Sequence, residues 1–578
     1  MASHTSSTLK ISIIIPVFNH ARFLENSIRS ALNQTYPDIE IVIYDDCSND
    51  PEVKNLLRRF KGNPKVKIFL GKTNEGISMA TNRAINQSTG SYLAFLDCDD
   101  LLLPKAIETA ANYINLNPNI RYFYSNRDLI DEKGKVISRL DFTEYSYKNN
   151  SEQLLAYMFA GHLKIIKKEA FYEVGLFKKE FDSCQDYDMA LRMSESFSFS
   201  HIPEYLYQYR IHSHQISQVK KREQAALAYR ARDVAVVRRR IFKGDIGRKR
   251  ISIIMLTMNR WQRTKSTLEQ LVKNTTLPYE LIILDNNSSD ETTKFLQLFS
   301  KQNANVRLFL EQQNLGCAGG RKKAISQAGG DFIVTMDNDI QVTPRWLENL
   351  LARLKETRAD AACCKVILPD GKIQYNGGSY KISGPFIHYS FIDNSLQYNN
   401  LNSFIDRECQ WLPGGATIYR RTVFDRVDFC ADLFGGMEDG DLSLQMARAG
   451  LKMVNCPASR VIHHHASSEK KEMQDQAYLR SRYNWERLKD TVICFYQRHG
   501  LIVYDPWLLQ QLEIPHTSPQ ETVDYFNRRV NGEKTRPAGR LEVSSQKPKE
   551  QALSLKFDSC KKRPNGRREP EGRSRKSE

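Results

Sequence analysis

Ile11-Ser-Ile-Ile-Ile-Pro-Val-Phe-Asn19 recurs as Ile251-Ser-Ile-Ile-Met-Leu-Thr-Met-Asn259, 240 residues further along a chain of 578. The same offset carries Asp45 to Asp285, Ser48 to Ser288, Asn74 to Asn314, Gly76 to Gly316, Gly90 to Gly330, Asp97 to Asp337, Asp99 to Asp339 and Pro104 to Pro344. So many polar and glycine positions in one register mark two copies of one domain. The length agrees, since it exceeds one ordinary core and accommodates two domains of about 200–250 residues with tails.

Each copy opens on an apolar β-branched run, continues through an amphipathic helical stretch (21–32; 263–272) and enters a second apolar run that ends in acid (40–46; 280–285). Third strands are expected over 66–70 and 306–310, and fourth strands over 92–96 and 332–336, each reached through a further helix. Strands alternating with helices predict an α/β fold with a mostly parallel sheet covered on both faces. Ligands of such sheets bind beyond the carboxyl ends of the strands. The acids lie there: Asp45 and Asp46 after the second strand, Asp97 and Asp99 after the fourth, with Asp285, Asp337 and Asp339 repeating them.

With 41% hydrophobic and 26% charged residues the chain is neither disordered throughout nor membrane-embedded. No apolar run approaches the 18 or more residues of a spanning helix, and residues 1–10 lack the layout of a secretory signal. Eleven cysteines show neither zinc-site spacing nor the density of a disulfide scaffold, so reduced thiols and a cytoplasmic location are expected. The net charge of +17 is concentrated in two places: residues 220–250 hold 12 Lys/Arg against 3 Asp/Glu, and residues 527–578 hold 16 against 7. The two large segments are near neutral, which argues against a nucleic-acid partner. The expected segmentation is a disordered N-terminus (1–9), a first domain (10–219), a basic helical connector (220–250), a second domain (251–500), a C-terminal extension (501–526) and a disordered basic tail (527–578). That tail is either solubilising or drawn to an anionic partner, an anionic acceptor or the inner face of an anionic membrane.

Asp97-Cys98-Asp99-Asp100 and Asp337-Asn338-Asp339 each place two carboxylates after a buried strand. Hard cations such as Mg²⁺ or Mn²⁺ favour oxygen ligands and often take one or two protein carboxylates plus phosphates and water. An isolated D-x-D is usually a solvated turn; repetition at one offset with a matching upstream acid is stronger. Taken with Asp45-Asp-Cys-Ser-Asn-Asp50, Asn74-Glu-Gly76, Gln185-Asp-Tyr-Asp-Met-Ala-Leu-Arg192 and Tyr209-Arg-Ile-His212, these motifs resemble the family 2 nucleotide-sugar glycosyltransferases of GT-A fold. The second copy supplies Asp285-Asn-Asn-Ser-Ser-Asp290, Asn314-Leu-Gly316, Gly435-Gly-Met-Glu-Asp-Gly-Asp-Leu442 and the His463 region.

The resemblance implies two clefts for a nucleoside diphosphate sugar, a UDP-sugar being the favoured donor, with a divalent metal (Mn²⁺ or Mg²⁺). Pro16, Asn19, Asp45, Asp46 and Asp97, and in the second copy Thr257, Asn259, Asp285, Asn286 and Asp337, would hold the donor. Asp99 and Asp339 would hold the metal, joined by His212 and by His463, although His463-His464-His465 leaves open which imidazole faces it. The base for the acceptor hydroxyl would be Asp186 in the first copy, with Gln185 where Glu is usual, and Asp439 beside Glu438 in the second. The same acids could simply complement a helix dipole. One carboxylate base and no covalent partner predict single displacement with inversion. Trp411, between the metal and base motifs, is either an acceptor-stacking face or a core anchor. The expected activity is transfer to a glycan or lipid-linked acceptor in cell-surface polysaccharide or glycoconjugate synthesis. The alternative is one active copy beside a catalytically silent, ligand-binding one.

Overall fold

The computed structural model describes residues 9–145, 150–213, 215, 220–464, 484–516 and 518–531. Most of the N-terminal segment, most of the basic tail and His465 lie outside the described residues. In the first copy the strands are β1 (Ile11–Val17), β2 (Ile39–Asp45), β3 (Val66–Leu70), β4 (Tyr92–Phe95), β5 (Leu101–Leu102), β6 (Tyr122–Ile130), β7 (Val136–Leu140), β8 (Lys164–Lys167) and β9 (Phe199–Arg210). They form one sheet in the order β3-β2-β1-β4-β8-β6-β9-β5, with β7 on β6. The β3-β2-β1-β4 half is parallel, as its helical crossovers require; β8 then enters antiparallel. Every residue of β1 is buried, because helices cover both faces of this central strand.

The second copy repeats the pattern with β10 (Ile251–Thr257), β11 (Glu280–Asp285), β12 (Val306–Leu310), β13 (Phe332–Asp337), β14 (Ile340–Val342), β15 (Ala361–Ile367), β16 (Ile373–Tyr375), β17 (Gly378–Ser383), β18 (Phe386–Phe391), β19 (Glu408–Cys409), β20 (Ala416–Arg420), β21 (Met453–His463) and β22 (Ile502–Val503). Its main sheet runs β12-β11-β10-β13-β20-β15-β21-β14, the same order strand for strand. Some repeated polar positions prove architectural. Gly90 N–H donates to Ser12 Oγ at 2.9 Å and Gly330 N–H to Ser252 Oγ at 2.8 Å. A Cβ at either glycine would meet the serine backbone nitrogen at 2.7 or 2.6 Å, so no other residue fits.

By contacts the chain divides into two compact units, Met1–Ser379 with Phe391–His465, and Tyr380–Ser390 with Ala466–Glu578. Both large sheets belong to the first. The second holds β18 paired with β22 and three helices, Trp485–His499, Pro506–Gln511 and Pro519–Val530. Within the first unit the connector is one helix, Lys221–Phe242. Its buried Arg238 binds Glu195 of the first copy and Glu356 of the second, the latter at 2.5 Å, and Lys178 reaches Glu356 at 2.7 Å. Leu401, Phe404 and Ile405 of the second copy join a core cluster of the first. The copies are therefore fused through a shared apolar core and a buried ionic network. Among the described residues no helix is long and apolar enough to cross a membrane.

Candidate active site

The loops after the first two strands of each copy are built from their own polar side chains. Asn19 adopts a left-handed φ of 50°, tolerated by asparagine, and its Oδ1 accepts from the N–H groups of Asn49 (2.7 Å) and Asp50 (3.1 Å). Asn259, at φ 56°, accepts from Ser289 N–H (2.7 Å) and Asp290 N–H (3.3 Å). Ser48 Oγ donates to Asp45 Oδ1 at 2.5 Å, and Ser288 repeats this on Asp285. Asp46 accepts from Gly76 N–H (2.8 Å) and Glu75 N–H (3.0 Å), while Asn286 Oδ1 accepts from Leu315 N–H (2.7 Å). Thr257 is buried, with its Oγ1 3.0 Å from that of Thr264. These residues shape the loops beyond the first two strands; Pro16 and Asp46 also line the cleft below.

At the carboxyl ends of the first copy's strands lies a cavity of 1010 Å³ whose wall includes Asp97, Asp99, His162 and Asp186. His212, carried just beyond the end of β9, places Nε2 3.0 Å from Asp99 Oδ2. His20 joins them: one ligand atom from each of His20, Asp99 and His212 falls within 4.8 Å of the others. Asp97 Oδ2 is 3.4 Å from His162 Nε2. Arg127 donates to His162 Nδ1 at 2.6 Å, so the ring proton sits on Nε2 and faces Asp97. Burial, reinforced by Arg127 and Lys164, lowers the His162 pKa and keeps the ring neutral. Burial opposes ionisation of Asp97, yet His162 and Lys164 hold its carboxyl below the usual range. Asp186, in the first turn of helix Gln185–Ser194, has Oδ1 3.1 Å from Lys164 Nζ.

In the second copy His463, at the end of β21, places Nε2 3.2 Å from Asp339 Oδ1 and is oriented by Gln374 Oε1 at 2.7 Å from its Nδ1. Of the two described histidines in the triplet it is His463 whose ring meets the aspartate; His464 donates its backbone N–H to Asp339 O. The acids here converge on one cation. Arg321, 5% exposed, bonds Asp337 Oδ1 (2.8 Å), Glu438 Oε1 (3.0 Å) and Asp439 Oδ1 (3.0 Å). Burial and the Glu438 charge, partly offset by Arg321, push the Asp439 carboxyl up to about 7. Trp411 is buried, 8% exposed, and packs against Phe391 (4.9 Å) and Tyr375 (5.5 Å), a placement that favours the core-anchoring reading over sugar stacking.

The β-ladder aligns the loops that differ most. Ala94 of β4 pairs with Ile165, and Val334, its repeat partner, pairs with Ile418. Gly161-His162-Leu163-Lys164 thus stands where the second copy has Gly414-Gly415-Ala416-Thr417. A Cβ on Gly414 would collide with Asp439 Oδ1 and Arg321, and one on Gly415 would meet Asp337 Oδ2 at 2.5 Å. His162 and Lys164 enter the first site through this loop, whereas Arg321, opposite Thr81 in the repeat, enters the second through helix Gly316–Ser326. Sequence reasoning missed all three, along with Arg127 and His20. The available signal was disagreement inside the repeat: Thr81 against Arg321, and His20 against Arg260.

The oxygen–nitrogen pairs fit a divalent cation. Two ligand atoms, each about 2.1 Å from an ion and at right angles, lie about 3.0 Å apart, and the pairs Asp99–His212 and Asp339–His463 are separated by 3.0 and 3.2 Å.

Three relatives give the site a context. The chain is 24% identical over 497 residues to the O-antigen biosynthesis protein RfbC of Myxococcus xanthus, covering 80% of this chain and 38% of that one. It is 32% identical over 221 residues to a chondroitin synthase of Escherichia coli (37% and 31% covered) and 30% over 220 residues to a hyaluronan synthase of Pasteurella multocida (38% and 22%). The chain thus spans well under half the length of each. A solved structure, S. aureus TarS residues 1–349 in complex with UDP, aligns at 18% identity and a TM-score of 0.33 over 39% of this chain and 65% of that one. The profile of Glycosyl transferase family 2 matches residues 12–175 and again 252–428. The chain belongs to that family, and carries its domain twice.

Proposed function

We propose that the protein is a bifunctional glycosyltransferase that moves sugars from nucleoside diphosphate sugars, UDP-sugars foremost, to a glycan or lipid-linked acceptor of a cell-surface polysaccharide or glycoconjugate. The observation that carries this reading is the duplicated juxtaposition, at the carboxyl ends of equivalent strands, of an Asp–His pair and a helix-borne carboxylate. The relatives named for O-antigen, chondroitin and hyaluronan support the polymer class.

In this reading Asp99 with His212, and Asp339 with His463, hold the divalent metal. When bound, that ion supplies positive charge to the departing diphosphate. Asp186 and Asp439 each accept the proton of an acceptor hydroxyl as its oxygen attacks the anomeric carbon from the face opposite the nucleotide. Inversion follows, and proton NMR of the released product tests it; retention of the donor configuration overturns it. The segments 10–219 and 251–500 are the proposed extents of the catalytic modules, and the basic tail is the proposed membrane-facing element. Removing residues 532–578 should weaken binding to anionic vesicles; unchanged binding overturns that part.

Gln185 favours a second reading, in which the first copy is a silent ligand-binding partner of the second. Full-length Asp99→Ala and Asp339→Ala, each assayed against UDP-, GDP- and dTDP-sugars with Mn²⁺ or Mg²⁺, separate the two. Partial loss in both variants supports two active copies; total loss in Asp339→Ala with none in Asp99→Ala supports one.

A further inference from the structure

We propose that the two copies are built for different cations, and that His20 is a third protein ligand that lets the first copy hold an imidazole-preferring transition ion such as Co²⁺ or Zn²⁺ before any donor arrives. The inference rests on the reading of Asp99 and Asp339 as metal-binding.

Around Asp99 the convergent set is His20, Asp99 and His212, two nitrogens and one oxygen, with ligand atoms within 4.8 Å of one another. The geometry is held from behind. The His20 and His212 rings lie 5.3 Å apart with Phe23 5.2 Å from His212, and Gln215 Oε1 accepts from the His212 backbone N–H at 3.3 Å. Around Asp339 the set is Asp337, Asp339 and His463, two oxygens and one nitrogen. Arg260 stands at the position of His20 in the repeat. Its NH1 is 4.0 Å from Asp339 Oδ2, while Arg321 binds Asp337 at 2.8 Å.

Imidazole suits transition ions, whereas carboxylate, carbonyl and water suit Mg²⁺. A guanidinium remains charged at all working pH and cannot ligate a cation, so Arg260 removes a ligand and adds repulsion where His20 adds a ligand. The first set therefore favours a transition ion over Mg²⁺ without help from a diphosphate. The second set, harder and opposed by two guanidiniums, depends on the donor to complete its coordination.

CoCl₂ titration of the nucleotide-free full chain carrying Asp339→Ala, read by Co²⁺ d–d absorption, tests this. His20→Ala and His20→Arg, each added to that chain, should weaken binding about tenfold or more, and Mg²⁺ in about hundredfold excess should not displace Co²⁺ from the parent. Far-UV circular dichroism establishes that the variants fold. Co²⁺ affinity unchanged by either His20 substitution overturns the role of His20. Ready displacement by Mg²⁺ overturns the selectivity. If Asp99→Ala in the same background also binds Co²⁺ like its parent, the metal reading of that copy falls as well, whereas loss on Asp99→Ala with none on His20→Ala removes only the third ligand.

Discussion

The two copies share a sheet order and an Asp–His pair but neutralise their carboxylates differently. In the second, one buried guanidinium, Arg321, serves Asp337, Glu438 and Asp439 together. In the first, where Thr81 replaces that arginine, Lys164 serves Asp186 and the Arg127–His162 pair serves Asp97. Buried carboxylates need compensating charge wherever they occur. The backbone fixes where the acids sit, while the compensating cation can enter from any wall. A duplicated fold thus yields two electrostatically distinct clefts, the expected basis for different donors or acceptors.

Removing the proposed bases attacks the comparison most severely. Asp439→Ala should lower transfer by the second copy about 10²–10⁴-fold, and Asp186→Ala that of the first by a similar factor, measured as product formation in chains whose other copy is silenced at Asp99 or Asp339. Equal persistence of activity would show that neither residue is the base. Arg238→Ala tests how far the copies depend on each other: it removes the partner that Glu195 and Glu356 share, leaving Arg239 on Glu195 and Lys178 on Glu356, a loss of about 1–3 kcal/mol to be read from urea unfolding. A smaller contrast comes from equivalent glycines. Gly414→Ala forces Asp439 and Arg321 apart and should cost about 1–3 kcal/mol with a fall in second-copy transfer, whereas Gly161→Ala makes ordinary contacts with Arg127 at 3.5 Å and Met158 at 3.8 Å and should be silent.

The finest test is pH. With its carboxyl pushed up to about 7, Asp439 is protonated below that value and cannot accept a proton. Second-copy turnover in Asp99→Ala should fall about tenfold for each pH unit below about 7 and level off above it. Arg321 favours the charged carboxylate, so Arg321→Gln should move this limb to higher pH; a limb that stays put would detach Arg321 from the base.

Much of the fold was legible because the repeat aligned its signals. The strands expected at 66–70, 280–285 and 306–310 coincide with β3, β11 and β12; those at 92–96 and 332–336 differ by one residue at the end, and that at 40–46 by one residue at each end. Beyond the fourth strand the common register breaks: the offset of 240 that links β4 to β13 becomes 253 between β8 and β20, since the intervening loops differ in length. The strands beyond the fourth were not anticipated, although turn signals follow β6 (Asp131-Glu-Lys-Gly-Lys135) and β15 (Pro369-Asp-Gly371). The Asp–His pairs were legible because both members lie in ordered motifs. Arg321, His162 and Lys164 were not, for they reach the sites across tertiary space from positions where arginine, histidine or lysine would ordinarily be surface residues. Asn19, Asp45 and their repeats were legible as important, but their hydrogen bonds to neighbouring backbone became visible only in three dimensions.

Arg238, locked between Glu195 and Glu356 on a helix that also feeds the common apolar core, makes the link between the two copies a strut instead of a tether. A growing saccharide visited by both clefts would have to cross a constant gap. The reach of the acceptor end, and not any motion of one copy against the other, would then limit passage between the clefts.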